Sequence, residues 1–224
     1  MKKLFVISLC AVSIFSGSAF AKTEGSYFGF DILNTTLKFN ERYSSDISPH
    51  AQLRRPSFSG SSYGLGAHYS YAANMNGLFI APGLFFERNG ASATGDGDET
   101  TSDGNRTSQR MQVLQRYGVK TDIGYDVTDS VGLYLTAGYA GISYRTKNFS
   151  DSVGRVTTIK NGMVGDWFYG AGAKFDCGKN TAVVLEYNTQ SFVAPTSTTG
   201  SLYNLNSVYK TRLGVAKIGL AFRF

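Results

Sequence analysis

Disulfides, metal clusters and membrane-spanning helices are beyond the means of this sequence. It has two cysteines, Cys10 and Cys177. Cys10 lies in an N-terminal leader, so one thiol remains and it cannot pair within the chain. His50 and His68 are the two histidines, and with that single thiol they give no set of metal ligands at usable spacing, so no metal or other cofactor is expected. Beyond the leader no apolar run reaches the 18 residues or so that a spanning helix needs. Charge is sparse as well, at 17% of residues. The excess of Lys and Arg is mild and scattered, which argues against a nucleic-acid partner, because such surfaces gather cations on one element.

What the chain has in quantity is glycine (26), tyrosine (14) and phenylalanine (16), a composition suited to strands. It opens with Met1-Lys2-Lys3, an apolar run from Leu4 to Phe15, and Ala19-Phe20-Ala21. That layout is a secretory signal peptide over residues 1–21, with cleavage between Ala21 and Lys22 and a mature domain over 22–224. Losing Lys2 and Lys3 takes two cations from the formal +6 and leaves +4.

The last residues show how the rest is built. Reading backwards from Phe224, the residues Phe222, Leu220, Ile218, Ala216 and Gly214 form an apolar row. Arg223, Ala221, Gly219, Lys217 and Val215 form the other. A period of two predicts a strand with unlike faces, as lipid on one side and a polar interior on the other require.

The same alternation recurs at 26–33, 63–71, 78–87, 116–127, 131–139, 167–175 and 182–188. Pro82 interrupts the third of these and predicts a bulge or weakened pairing, since it has no N–H to give. Long polar stretches at about 34–62, 89–111, 145–165 and 192–209 read as loops, and short turns lie between them. Long and short connections alternate along the chain. This gives an all-β fold, an eight-stranded antiparallel up-and-down transmembrane β-barrel with both termini on the short-turn side. A soluble sandwich is the competing arrangement; glycine on the charged row and aromatics near the strand ends favour the barrel.

These features resemble the small eight-stranded outer-membrane β-barrel family of Gram-negative bacteria, which includes OmpA/OmpX-type barrels, opacity-like adhesins and surface antigens of intracellular α-proteobacteria. The most specific element is the terminal Gly219-Leu-Ala-Phe-Arg-Phe224. It is similar to the signal, here Leu220, Phe222 and Phe224, that the family's barrel assembly machinery reads. No further domain follows Phe224 in the sequence, so the resemblance is to barrel-only members. It implies a multi-pass outer-membrane protein with both termini in the periplasm, in contact with lipid and lipopolysaccharide.

The inward row collects Asp31, His68, Glu87, Arg116, Lys120, Asp122, Asp126, Lys174, Glu186, Lys217 and Arg223. A narrow interior should be plugged by these charges, with Lys120, Lys174 and Lys217 facing Glu186, Asp122 and Asp31. His68-Tyr-Ser70 resembles the base and nucleophile of lipid A deacylases, but no carboxylate stands near it in sequence, and an interior histidine with a partner is the better reading. Asp96-Gly-Asp-Glu-Thr100 lacks the pattern of a calcium loop. Lys38, Arg88, Arg145, Lys147, Lys210 and Arg212 fall where lipopolysaccharide phosphates would meet them. The expected function is a non-enzymatic surface barrel whose loops contact a host surface ligand or the environment. A narrow solute channel and a lipid-modifying enzyme are the alternatives.

Overall fold

In the computed structural model, residues 23–44, 57–100, 106–150, 155–197 and 206–224 are described. Nine strands follow in chain order: β1 Gly25–Ser44, β2 Ser57–Met75, β3 Leu78–Arg88, β4 Ser92–Thr100, β5 Arg106–Thr128, β6 Val131–Ser150, β7 Arg155–Asp176, β8 Thr181–Ser197 and β9 Asn206–Arg223. Neighbours pair antiparallel, and a β3–β5 ladder closes the ring. Because β3 and β4 lie one after the other on β5, the wall has eight staves. Closure matters in lipid, which offers no hydrogen bonds to an open edge.

Each expected strand is present, and the turns between them are tight. Asn76-Gly77 joins β2 to β3 with φ of 56° and 91°. These are the left-handed values of a two-residue hairpin, which glycine adopts without strain. Gly77 N–H donates to Asn74 Oδ1 at 3.0 Å. At Pro82 the β2–β3 ladder lapses between Ser70↔Gly83 and Ala73↔Ile80 without a register shift. The pairing is therefore weakened there, and no bulge forms.

The polar stretches depart from expectation. Strand structure runs through most of 34–62, 89–111, 145–165 and 192–209, leaving only the connections 45–56, 101–105, 151–154 and 198–205 outside the described residues. The four long loops are thus largely a tall upper section of barrel, here called the head. Its polarity is inverted. On β1 the outward row runs Phe28, Phe30, Ile32 and then Asn34, Thr36, Lys38, while the inward row runs Asp31 and then Leu33, Thr35, Leu37, Phe39. β9 does the same, with Lys217 giving way inside to Val215 and Leu213, and Ile218 giving way outside to Gly214 and Arg212. On β5 a register shift between Val113 and Gln115 swaps the parity, so that Arg116 below and Val113 and Met111 above all point inward.

Below the inversion the wall suits lipid. Leu65, Leu84, Val119, Ile123, Leu135 and Leu220 are exposed at mid-height. Tyr63, Tyr117, Tyr139 and Trp167 mark one border of this belt, and Tyr71, Tyr125, Phe222 and Phe224 the other. Two aromatic borders around an apolar band are the form of a membrane-crossing barrel. Above the inversion the wall suits water, and the apolar row is inside.

The head is also split. β8, β9, β1 and β2 pair with one another up to Ser197↔Asn206, Ser44↔Asn206 and Asn40↔Ser57. β4, β5, β6 and β7 do likewise up to Thr100↔Arg106, Thr107↔Ser150 and Ser150↔Arg155. Between these four-stranded leaves the β7–β8 ladder stops at Phe168↔Gln190, and the β2–β3 ladder at Leu65↔Arg88. Leu33, Leu37, Met111, Val113, Ile142, Phe192, Leu213 and Val215 fill the space between the leaves, with exposures of 0–2%. Each such side chain contributes about 1.5–3 kcal/mol.

The plugged lumen as candidate functional site

Eight staves leave an interior that side chains fill, and here they fill it in three tiers. The head's apolar cluster is the upper one. The middle tier is a chain of alternating charges drawn from β5, β8, β9 and β3. Asp122 Oδ2 lies 2.9 Å from Lys120 Nζ, which lies 2.7 Å from Glu186 Oε2. Glu186 Oε1 lies 2.9 Å from Lys217 Nζ, itself 2.8 Å from Glu87 Oε1. Glu87 Oε2 takes Arg116 Nη1 at 3.0 Å, and Arg116 Nε donates to Gln190 Oε1 at 2.9 Å.

All six ionised groups are buried, where an unpaired charge would be costly. Glu186 takes two further donors: Tyr134 Oη at 3.3 Å and Asn188 Nδ2 at 2.8 Å. Arg116 lies between Phe85 and Phe168, its guanidinium carbon 5.0 and 4.5 Å from their ring centres. The aromatic faces attract the cation and exclude water from it.

The lower tier packs Tyr27, Ala72, Phe79, Ala81, Tyr134 and Ala221. A cavity of about 40 Å³ remains here, beside His68, Ser70, Asp122 and Lys174. It is wide enough for water. At its mouth Asp126 holds three donors: Thr23 N–H at 3.2 Å, Thr23 Oγ1 at 2.6 Å and Asn74 Nδ2 at 2.8 Å.

The sequence-predicted residues fall as follows. Lys120, Asp122, Glu87, Glu186 and Lys217 form the charged chain just described. Lys174 does not join it: Lys174 Nζ lies 3.4 Å from Asp176 Oδ1 and donates to Tyr27 Oη at 3.1 Å. Asp31 faces His68, with Oδ2 2.9 Å from the ring Nδ1, so its partner is not a lysine. Gly29 and Gly219 make room for this pair, since a Cβ on the first would meet the His68 ring and on the second the Asp31 carboxylate. Arg223 stands at the turn end and donates to the Lys179 carbonyl, away from the charged chain.

Leu220 and Phe222 point outward from β9 opposite Phe30 and Phe28, and Phe224 follows them. Ala21 and Lys22 lie outside the described residues, as do the side chains of residues 95–100. Asp31 supplies the carboxylate that His68 lacked in sequence. No hydrogen bond joins His68 to Ser70 among the described residues, and both line the small lower cavity. Lys38, Arg88, Arg145, Lys147, Lys210 and Arg212 all point outward, as does Arg110.

Sequence reasoning missed the second element of the site, the head's apolar filling, together with Gln190. Gln190 Nε2 donates to the Ala140 and Asp166 carbonyls at 3.0 and 2.8 Å, where the β7–β8 ladder ends. Its place on the inward row beside Asn188 and Glu186 was the available signal.

A family model described as outer membrane protein beta-barrel domain matches residues 7–224. Among solved structures, OprG of Pseudomonas aeruginosa is similar at 12% identity, over 91% of this chain and 98% of its own, with a TM-score of 0.54. The outer membrane protease OmpT of Escherichia coli is similar at 10% identity, over 90% and 97%, with a TM-score of 0.52. AlkL, determined by solid-state NMR in lipid bilayers, is similar at 12% identity, over 93% and 94%, with a TM-score of 0.51. No curated protein matches the chain. At such identities the likeness concerns the fold.

Proposed function

Because the chain belongs to the outer-membrane β-barrel domain family of the bacterial outer membrane, we propose that it is a closed structural barrel that raises its head above the membrane for contact with the environment, including adhesion to a host surface. The observation that carries this reading is the filled lumen, with apolar side chains above, paired charges in the middle and aromatics below. A channel needs a continuous polar path, and a lipid-modifying enzyme needs a substrate to reach its base. Neither fits a lumen filled in this way, in which the cavity beside His68 and Ser70 is only about 40 Å³, so we take the protein to be non-enzymatic.

Residues 1–21 act in this reading as a cleaved leader, and Leu220, Phe222 and Phe224 as the segment met by the assembly machinery. The outward cations have a use as well. Lys38 stands about 20 Å further along β1 than Ile32, at ~3.3 Å per residue, clear of the apolar belt. There Lys38, Arg88, Arg145, Lys147, Lys210 and Arg212 present a cationic surface to anions, the phosphates of lipopolysaccharide among them.

Two measurements test this. Purified protein in planar bilayers is expected to give no steady conductance, and a large stable current would sink the closed-barrel reading. Cys177 is exposed in the turn between β7 and β8. A membrane-impermeant maleimide should leave it unmodified in intact cells and modify it after permeabilisation, which sets the turns and both termini in the periplasm. Labelling in intact cells would invert that orientation.

A further inference from the structure

The β7–β8 seam leaves the upper part of β7, residues 155–167, paired on one side only, with β6. We propose that this edge accepts an extended acidic peptide segment of a partner protein, which adds to β7 as a further strand. The proposal rests on the outward-facing head described above.

Three observations carry it. The first is the backbone. β7 continues to Arg155 and β8 to Ser197, yet no ladder joins them above Phe168↔Gln190. A row of unpaired amides and carbonyls is a template for another strand. The β8 lip includes Pro195, which has no N–H, whereas 155–167 contains no proline.

The second is the side-chain pattern. Elsewhere the head's outward row is mostly polar, but along this seam it carries Ile159 and Met163 on β7 and Val193 on β8, 49–64% exposed, just above Trp167 at the belt border. Apolar groups exposed above a lipid belt on both lips of one gap call for a cover with apolar side chains of its own.

The third is charge. The strands flanking the lips bring Arg145 and Lys147 on β6 and Lys210 and Arg212 on β9, all pointing outward. Among the head residues whose side chains are described, no Asp or Glu points outward. Arg110 and Lys147 are direct cross-strand partners, as are Lys38 and Arg212, and like charges so placed repel unless an anion lies between them. A second copy of the chain would bring cations against cations, so the fitting occupant is acidic.

The test is hydrogen exchange read by mass spectrometry on the full chain in lipid nanodiscs, with an octapeptide of alternating valine and glutamate as the probe. Without peptide, the seam-facing amides of 155–167, alternate ones along the strand, should exchange at least roughly tenfold faster than those of 140–147 in β6, which is paired on both sides. With peptide they should become protected by about the same factor. The same peptide N-methylated at alternate amides should protect nothing, nor should a valine–lysine peptide. A variant carrying Ile159→Glu and Met163→Glu, both outward and exposed, should keep the native gel mobility and lose the protection.

The proposal is overturned by protection that survives N-methylation, because that is an electrostatic coat. It is equally overturned by protection from the lysine peptide, by protection that rises with protein concentration alone, which marks a second copy, or by none at about 1 mM peptide. If an impermeant label on a Lys38→Cys variant cannot reach the head in intact cells, it is the surface reading that fails. If the head is labelled and the peptide arm fails, only this proposal falls.

Discussion

Glu186 shows how one residue holds the lumen. It accepts from Lys120, Lys217, Tyr134 and Asn188, and it is the member through which the Asp122–Lys120 half of the charged chain meets the Lys217–Glu87–Arg116 half. Glu186→Leu would leave both lysines buried, each with a single remaining carboxylate. Breaking a buried pair in this way costs about 3–5 kcal/mol, and the surviving partners place the expected loss near the lower figure. Urea-induced unfolding in phospholipid bilayers measures it. Arg223→Ala should change stability by no more than about 0.5 kcal/mol, since the side chain is partly exposed at the turn end and lies outside the charged chain. If the two variants lost equal stability, the charged chain would not be what holds the middle tier.

At the scale of the strand, the β7–β8 pair ends where Gln190 binds the two carbonyls of Ala140 and Asp166 and is itself held by Arg116. Gln190→Leu keeps the volume and removes all three bonds. Amides of Phe168 and Tyr169 should then exchange at least several-fold faster while those of β9 stay as they were, because the ladder frays downward from its stop. Uniform acceleration across the barrel would instead mean a global loss of stability. The strands themselves were largely legible: every alternation with an apolar outer row became one, and the proline on β3 weakened pairing as expected. The upper strands were not, for a physical reason. In the head only the inner row is apolar, and it has the opposite phase to the row below. Leu33, Leu37 and Phe39 therefore read as scattered apolar residues in a polar loop. β5 hid the change further by shifting register beside Leu114. Pairings across the lumen were also illegible, since sequence places Asp31 and His68 on one row without saying that they meet.

For the whole molecule, the inversion means that one wall meets two solvents. Outside, the barrel is apolar where lipid lies and polar above it; inside, the paired charges stand behind the lipid belt, over the aromatic lower tier, and the apolar filling stands behind the polar head. This closes the lumen twice by unrelated chemistry, and the two closures should fail independently. Glu186→Ala alone should weaken the barrel without giving a steady current in planar bilayers, because Leu33, Phe192 and Leu213 still fill the section above. Replacing those three by alanine should cost stability, at about 2–5 kcal/mol for each buried large side chain, and should likewise leave the lumen shut, since the paired charges and the Arg116–Phe168 stack remain below. The combination of all four substitutions still leaves Tyr27, Phe79 and Tyr134 across the section below, so a steady current is expected only when that lower tier is cut back to alanine as well. A steady current from either partial set would show that one tier seals the barrel unaided, and the other would then serve folding rather than closure.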